Sequence, residues 1–160
     1  MIAVADASPL CYLVLIGRVE LLPTLFGDVL IPQSVRDELA DEDAPEAVRT
    51  WIAAPPGWLE IRSVEGDTDA SLQRLHTGER DAIRLAESVK ADLIILDDKA
   101  ARRVATERGL NVTGLLGVLG ESATRGLVDL PEVVDRLRQT TFRASLRLLK
   151  SLLDRHKDID

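Results

Sequence analysis

Short apolar segments alternate with amphipathic segments along most of the chain, and this alternation restricts the fold more than any other feature of the sequence. The clearest apolar segments, each typical of a buried strand, are residues 2–5 (IAVA), 28–31 (DVLI) and 92–96 (DLIIL). The segments between them carry hydrophobic residues at helical spacing, as in TGERDAIRLAESV at residues 77–89. Strands that alternate with helices predict crossover connections and a central, mostly parallel sheet flanked by helices. Strands of such a sheet are buried on both faces, which accounts for their apolar composition.

The length of the chain fits one domain with a sizeable core. Its 160 residues are 46% hydrophobic and 29% charged, which is ordinary for a folded globular protein. We predict an α/β domain over residues 1–130 and a C-terminal helical extension over residues 131–160 that packs on it. Cys11 is the single cysteine, so a disulfide within the chain and a cysteine-based zinc site are excluded. We find no signal peptide and no membrane span in the sequence, and therefore expect a cytoplasmic protein without membrane contact.

Charge is distributed unevenly along the chain. The net charge of −7 argues against a general nucleic-acid binder, and an aromatic content of 3% gives little support to a base-stacking platform. Residues 136–157 are the exception, because they carry seven basic side chains against a single acid. We predict a long helix from about residue 141 to residue 155, with one apolar face and with Arg143, Arg147 and Lys150 on another. The apolar face would pack on the domain, and the basic face is open to three interpretations: solvent, a partner or second subunit, or RNA phosphates.

Acidic residues follow the predicted strands at the place where parallel α/β sheets bind ligands, outside the carboxyl ends of the strands. The acids at these positions are Asp6 after the first strand, Glu38 one turn into the helix after DVLI, Glu79 and Asp81 at the start of the helix before DLIIL, and Asp97 and Asp98 after DLIIL. Each of them alone is explained by a turn, a helix cap or the helix dipole. Together they would repel one another, so we expect a cation between them. Oxygen ligands without histidine or cysteine suit Mg²⁺ or Mn²⁺, and such an ion activates water and stabilises the leaving oxygen in phosphodiester hydrolysis.

Two helix starts lie next to these acids. Ser8 and Pro9 predict a helix with Ser8 as the N-cap and Pro9 at the first helical position. His76 directly precedes the segment TGE, and we expect a surface or capping role for it rather than a catalytic one.

Three other α/β functions fit the sequence less well. A phosphotransfer receiver domain has an acidic pair after its first strand, whereas here Asp6 stands alone and the double acid comes late. No Gly-x-Gly-x-x-Gly segment follows a strand, and the chain has no P-loop. A dinucleotide-binding fold and a P-loop nucleotidase are therefore not supported.

The segments DASPL, IGRVELL, VLIPQSVRDEL, LHTGERDAI and LDDKAARRVA, in this order, resemble the PIN-domain family, and in particular a prokaryotic subfamily related to VapC-type toxins. The resemblance extends over roughly residues 2–130. It implies a PIN-like α/β domain that acts as a metal-dependent endoribonuclease with Mg²⁺ or Mn²⁺. The catalytic and metal-binding acids that it implies are Asp6, Glu38, Asp81 and Asp98. Ser8 matches the family's small hydroxyl residue after the first aspartate, where it would orient Asp6 or a water molecule.

The chain departs from the family pattern at two of these positions. Many members have Thr-x-Asp or Ser-x-Asp where this chain has Leu96-Asp97-Asp98, so either aspartate is a candidate ligand, and alignment of the strand favours Asp98. Glu79 lies two residues from Asp81, so the two side chains point in different directions and we expect one of them to face the metal. Asp81 fits the family's Asp-Ala-Ile-x-x-Ala pattern.

The resemblance also implies partners. They are an RNA substrate, a cognate antitoxin protein if the chain is the toxin of a toxin–antitoxin pair, and a second copy in a homodimer. The arginines that we consider as contacts for RNA phosphates are Arg80, Arg84, Arg102 and Arg103. The alternative function is a catalytically weak or inactive PIN scaffold that serves as a protein- or RNA-binding module, because relatives with altered acids can keep the fold without the activity.

Overall fold

The computed structural model describes residues 1–66, 68–142 and 146–155, without the side chain of Leu146. In these residues the strands are β1 (Ala3–Ala5), β2 (Val29–Pro32), β3 (Leu59–Arg62), β4 (Leu93–Ile95) and β5 (Val112–Thr113). They form one sheet in the order β3-β2-β1-β4-β5, and every neighbouring pair is parallel. The predicted parallel sheet is therefore confirmed.

The strand order changes direction between β1 and β4. From β1 the chain proceeds outward to β2 and β3 on one side, and it then crosses to β4 and β5 on the other side. In the centre of the sheet, Val4 pairs with Leu30 of β2 and with Ile94 of β4. Where successive connections leave to opposite sides, they open a crevice outside the carboxyl ends of the strands, and ligands of open α/β sheets bind there.

The hydrophobic core has two layers, one on each face of the sheet. Because side chains alternate along a strand, Ala3 and Ala5 contact one layer and Val4 contacts the other. All three side chains are fully buried, and so are Ile94 and Ile95 of β4. Burial on both faces is the reason why β1 and β4 are apolar at successive positions.

Ten helices flank the sheet in the described residues. They are α1 (Ala7–Leu15), α2 (Leu21–Phe26), α3 (Gln33–Leu39), α4 (Glu46–Ala53), α5 (Ala70–Gln73), α6 (Thr77–Ser88), α7 (Lys99–Glu107), α8 (Leu115–Thr124), α9 (Leu130–Arg138) and α10 (Leu146–Arg155). Helix α6 packs against β1, β2 and β4 as well as against α3. Its position over the centre of the sheet brings its first turn to the crevice between β1 and β4.

The start of α1 differs from the prediction. Asp6, with φ −88° and ψ 170°, is the N-cap, and the helix begins at Ala7. Ser8 and Pro9 are the second and third helical residues, so the prediction of Ser8 as the N-cap was wrong. Pro9 is tolerated there because the backbone N–H groups of a helix's first turn have no acceptor within the helix.

The C-terminal helices belong to the same core as the sheet. Leu137 of α9 and Leu149 and Leu152 of α10 are buried in the layer that also contains α1 and α8. In the described residues α10 starts at Leu146, whereas Arg143, which we placed on its basic face, lies outside them. Arg147 and Lys150 are exposed.

In the part of the chain that the structure covers, each helix is too short or too polar to cross a bilayer.

Candidate functional site

Asp6 lies at the point where the strand order changes direction. Its backbone N–H donates a hydrogen bond of 3.0 Å to the carbonyl oxygen of Ile95, which extends the contact between β1 and β4 by one residue. Asp6 is 6% exposed and is the only carboxylate among the buried residues of the described chain. A carboxylate that is held in the crevice of an α/β sheet, away from solvent, is placed to bind a ligand rather than to solvate the surface.

Glu38 reaches the same crevice from α3. The buried side chains of Val35 and Leu39 fix this helix against the core and leave Glu38 on the flank towards α6. A Cβ atom on Gly78 would lie 3.4 Å from Oδ1 of Asp6 and 3.7 Å from Oε1 of Glu38. The two carboxylate oxygens therefore border one small space, which stays open because residue 78 has no side chain.

The first turn of α6 brings a third acid to this space. Oε1 of Glu79 accepts a hydrogen bond of 3.1 Å from the backbone N–H of His76, the N-cap of the helix. His76 occupies the capping position that we expected, and its Nδ1 lies 3.3 Å from Oε1 of Glu38. Glu38, His76 and Glu79 are thus linked in one chain of polar contacts.

The two aspartates after β4 have different surroundings. Oδ1 of Asp97 accepts a hydrogen bond of 2.8 Å from the backbone N–H of Leu115, which ties the end of β4 to the start of α8. Its Oδ2 is buried and has no partner in the described residues. Asp98 is the exposed N-cap of α7, where its Oδ2 accepts a 2.9 Å hydrogen bond from the N–H of Ala101.

Asp81 is held by a separate network. Its Oδ2 accepts a hydrogen bond of 2.6 Å from Oγ of Ser34 in α3, and its Oδ1 lies 3.5 Å from Nη1 of Arg84. Arg84 also donates to the carbonyl oxygens of Glu65 and Gly66, both at 2.6 Å. The carboxylate of Asp81 therefore connects α6 to α3 and to the loop after β3.

Electrostatic coupling groups four of the six acids. The pKa of Asp6 is raised to about 7, chiefly by burial, and the negative charges of Glu38 and Glu79 contribute to this rise. Burial also raises the pKa of Glu79, to which the charges of Asp98 and Glu38 contribute. We call Asp6, Glu38, Glu79 and Asp98 the acid cluster. A raised pKa in a group of like charges indicates a site that is stabilised by a bound cation.

The acid cluster fits a divalent cation in its donor chemistry. It offers carboxylate oxygens, as Mg²⁺ and Mn²⁺ prefer, and two of its members, Asp6 and Glu38, border the space next to Gly78 that a Cβ atom would fill. Over residues 1–66, 68–142 and 146–155, no group of three or more His, Cys, Asp or Glu side chains is already arranged to hold a metal ion. Asp6 and Glu38 thus border an open space, and the cluster forms no preassembled cage in the described residues.

The four arginines that we considered for RNA binding differ in their availability. Arg84 is 14% exposed and is used internally, and Arg102 donates a 2.9 Å hydrogen bond to the carbonyl oxygen of Leu96. Nε of Arg80 is buried without a partner in the described residues. Arg103 is 81% exposed and pairs with Glu107, one turn further along α7.

Sequence reasoning missed two residues of the site. Gly78 makes room beside Asp6 and Glu38, and the small residue in the first turn of an otherwise well-formed helix was the available signal. Ser34 holds Asp81 through a contact between residues 47 positions apart, for which the sequence contains no local signal.

Comparison with known proteins identifies the family. A family model described as a PIN domain matches residues 2–158, which include all five strands and both C-terminal helices. Comparisons with curated proteins and with solved structures return no match. PIN domains are commonly nucleases that act on nucleic acids. The chain, by its parallel sheet, its acids at the carboxyl edge and its match over nearly its whole length, belongs to the PIN-domain family.

Proposed function

We propose that this PIN domain is a metal-dependent endoribonuclease that hydrolyses RNA phosphodiester bonds. The observation that carries the proposal is the buried carboxylate of Asp6, which shares an open space with Glu38 at the crevice between β1 and β4. A buried carboxylate among like charges is costly unless a cation is bound to it. A fold that keeps this arrangement is expected to use it for binding.

We assign the metal to the acid cluster, in which Asp6 and Glu38 are the central ligands. Glu79 is coupled to both through its charge, Asp98 is coupled in turn to Glu79, and the two would complete the site by side-chain rotation. Asp81 and Asp97 are the other two candidates from the sequence. Asp81 is held by Ser34 and Arg84, and Asp97 accepts from the N–H of Leu115. Neither charge is among the causes of the raised pKa of Asp6 or Glu79, which suits a supporting role.

The residues of the chain have distinct tasks in this mechanism. A divalent ion would supply the positive charge that offsets the scissile phosphate and makes a nearby water more acidic. Asp6 is kept in place by its backbone hydrogen bond to Ile95 and by burial, so its carboxylate does not have to move when a cation binds. Gly78 leaves the space open, and Glu38 is half-exposed beside it, so this carboxylate is accessible from solvent. Ser8, in the first turn of α1, would orient a water beside Asp6, as the family resemblance implies.

The biological role that we propose is that of a toxin in a toxin–antitoxin pair. The partners would be cellular RNA, a cognate antitoxin protein and a second copy of the chain in a homodimer, acting in the cytoplasm. This part of the proposal rests on the likeness of DASPL, VLIPQSVRDEL and LHTGERDAI to VapC-related proteins.

A second function, that of a protein- or RNA-binding module, is favoured by one observation. The described part of the chain holds no preassembled group of three metal ligands. An inactive scaffold would bind its partner at the same edge of the sheet and would not respond to divalent ions.

The decisive experiment is cleavage of a labelled RNA mixture by the full-length protein, with Mn²⁺ or Mg²⁺ against EDTA. Asp6→Asn removes the central charge with little change in shape. Asp129→Asn is the matched control, because Asp129 is also a helix N-cap without a side-chain capping bond but is exposed on α9. We expect metal-dependent cleavage that is lost in Asp6→Asn and kept in Asp129→Asn. If the protein cleaves no RNA and binds no Mn²⁺, the nuclease proposal is refuted and the binding module is supported.

The third ligand is tested by a second pair of variants. We expect Glu79→Gln to weaken Mn²⁺ binding, measured by calorimetry, at least tenfold, whereas Asp81→Asn retains the acceptor for Ser34 and has a smaller effect. The reverse order would identify Asp81 as the ligand, as the family pattern implies.

A further inference from the structure

A cavity lies beside the acid cluster, at the same edge of the sheet. It has a volume of about 460 Å³ and is formed at the carboxyl ends of β4 and β5, between α7 and the start of α8. The polar and aromatic residues that line it are Asp97, Lys99, Arg102, Thr113 and Phe142. Lys99 directly follows Asp98 in the chain, so the cavity and the acid cluster are neighbours.

The charges in this cavity are opposite in sign to those of the acid cluster. Lys99 is exposed and makes no hydrogen bond or ion pair with another described residue, so its ammonium group is available to a ligand. The guanidinium of Arg102 is held at the wall by its bond to the carbonyl oxygen of Leu96. Asp97 is the single acid in the lining, against the two cations, and one of its oxygens accepts from the N–H of Leu115. The cavity is therefore cationic in a chain that is acidic overall.

Glycines bring the backbone of α8 close to these side chains. A Cβ atom on Gly114 would lie 2.5 Å from Nη1 of Arg102 and 2.6 Å from Oδ1 of Asp97, which are distances that real Cβ atoms do not show. A Cβ atom on Gly117 would overlap with Oγ1 of Thr113. Glycine at both positions leaves room for the side chains of Arg102 and Thr113 against the first turn of the helix.

The first turn of α8 also offers unused hydrogen-bond donors. Its N-cap, Gly114, has no side chain to cap the helix, and the N–H of Leu115 is taken by Asp97. In the described residues the N–H groups of Leu116 and Gly117 have no acceptor. Free N–H groups at a helix N-terminus, next to a lysine and an arginine, are suited to a phosphate group.

We propose that this cavity is a nucleotide subsite that holds the RNA nucleotide next to the scissile bond. Lys99, Arg102 and the N–H groups at the start of α8 bind its phosphate, and the apolar wall at Phe142 contacts its sugar or base. A volume of about 460 Å³ is in the range of nucleotide-sized ligand sites. The subsite rests on the proposed function, because it assumes that RNA is the substrate bound at this edge of the sheet. It explains how an acidic protein attracts a polyanion close to four carboxylates.

The subsite is tested by RNA binding in EDTA, where cleavage has no part. The probe is a fluorescent single-stranded RNA decamer, and its affinity is measured by anisotropy at several salt concentrations. We expect Lys99→Gln to weaken binding at least threefold and to reduce the slope of log K against log salt by about 0.7, the value for one phosphate contact on a single strand. Lys90→Gln is the matched control, because Lys90 is an exposed lysine just before β4, at the opposite edge of the sheet. Equal effects of the two substitutions would overturn the proposal.

A second measurement locates the phosphate. We expect a nucleoside 5′-monophosphate to shift the backbone amide resonances of Leu116 and Gly117, and the nucleoside without phosphate to leave them in place. Binding of an acidic peptide to this cavity without binding of RNA would also overturn the proposal, in favour of a protein partner. The two proposals fail separately. If RNA cleavage needs Asp6 but the wild type and Lys99→Gln bind RNA equally well, the subsite alone is refuted. If RNA binding depends on Lys99 but the protein cleaves no RNA with Mn²⁺ or Mg²⁺, the nuclease alone is refuted.

Discussion

Replacement of Asp6 by asparagine is expected to stabilise the metal-free protein at neutral and alkaline pH. In the folded chain the pKa of Asp6 is raised from 3.8 to about 7, chiefly by burial. Between these two values the unfolded chain loses its proton while the folded chain keeps it. The folded state therefore binds more protons, and the free energy of unfolding falls as the pH rises from about 4 to about 7.

The size of the effect follows from the shift of the pKa. One pH unit corresponds to about 1.4 kcal/mol, so a shift of about three units lowers the free energy of unfolding by up to about 4 kcal/mol above pH 7. Asparagine has the shape of the protonated aspartate and carries no charge, so Asp6→Asn avoids this loss. Since a small domain has a total stability of about 5–15 kcal/mol, the difference is large enough to measure.

The assay is urea unfolding in EDTA, followed by circular dichroism, for wild type and Asp6→Asn at several values between pH 4 and pH 8. The difference between the two proteins is expected to widen with pH in favour of Asp6→Asn, and Asp129→Asn should show no such trend. At pH 8, Mn²⁺ should then raise the melting temperature of the wild type and leave that of Asp6→Asn unchanged. A difference that stays constant from pH 4 to pH 8 would refute the reasoning, because it would mean that folding does not penalise the charge of Asp6.

Three further predictions follow from the contacts of the site. Gly78→Ala should stabilise α6 by up to about 1 kcal/mol, because alanine has a higher helix propensity than glycine. The added methyl group fills the space beside Asp6 and Glu38 and should weaken Mn²⁺ binding, as measured by calorimetry. An unchanged Mn²⁺ affinity would contradict the assigned site. Ser34→Ala removes the 2.6 Å hydrogen bond to Asp81 and should lower the free energy of unfolding by about 1.5–3 kcal/mol, as measured in urea, and a loss near zero would mean that water replaces the hydroxyl. Asp97→Ala leaves the N–H of Leu115 without its acceptor and should cost about 1–3 kcal/mol in thermal unfolding, whereas Asp97→Asn, which keeps an acceptor oxygen, should cost less.

The start of α1 and the acids of α6 illustrate where sequence reasoning ends. The segment DASP signals a helix start, but both Asp6 and Ser8 are good N-caps, and the sequence alone led us to the wrong one. Glu79 and Asp81 are two positions apart on α6, so the sequence indicates that they diverge and not where each points. The local bond from the N–H of His76 holds Glu79, whose pKa also responds to the distant charges of Glu38 and Asp98. Ser34 of α3, 47 positions away, holds Asp81.

The sequence by itself determined the class of fold and the edge of the sheet at which the acids lie. Apolar runs such as IAVA and DLIIL, between helical segments, predict buried strands of a parallel sheet, and an acid that directly follows such a strand lies at its carboxyl end. These are consequences of local pattern and chain direction. Only the tertiary structure decided that β1 and β4 are neighbours, that Gly78 faces Asp6 and Glu38, and that Asp6 is buried deeply enough for its pKa to reach about 7. Those properties depend on the packing of segments that are far apart in the chain, and burial and electrostatic coupling arise only after that packing has formed.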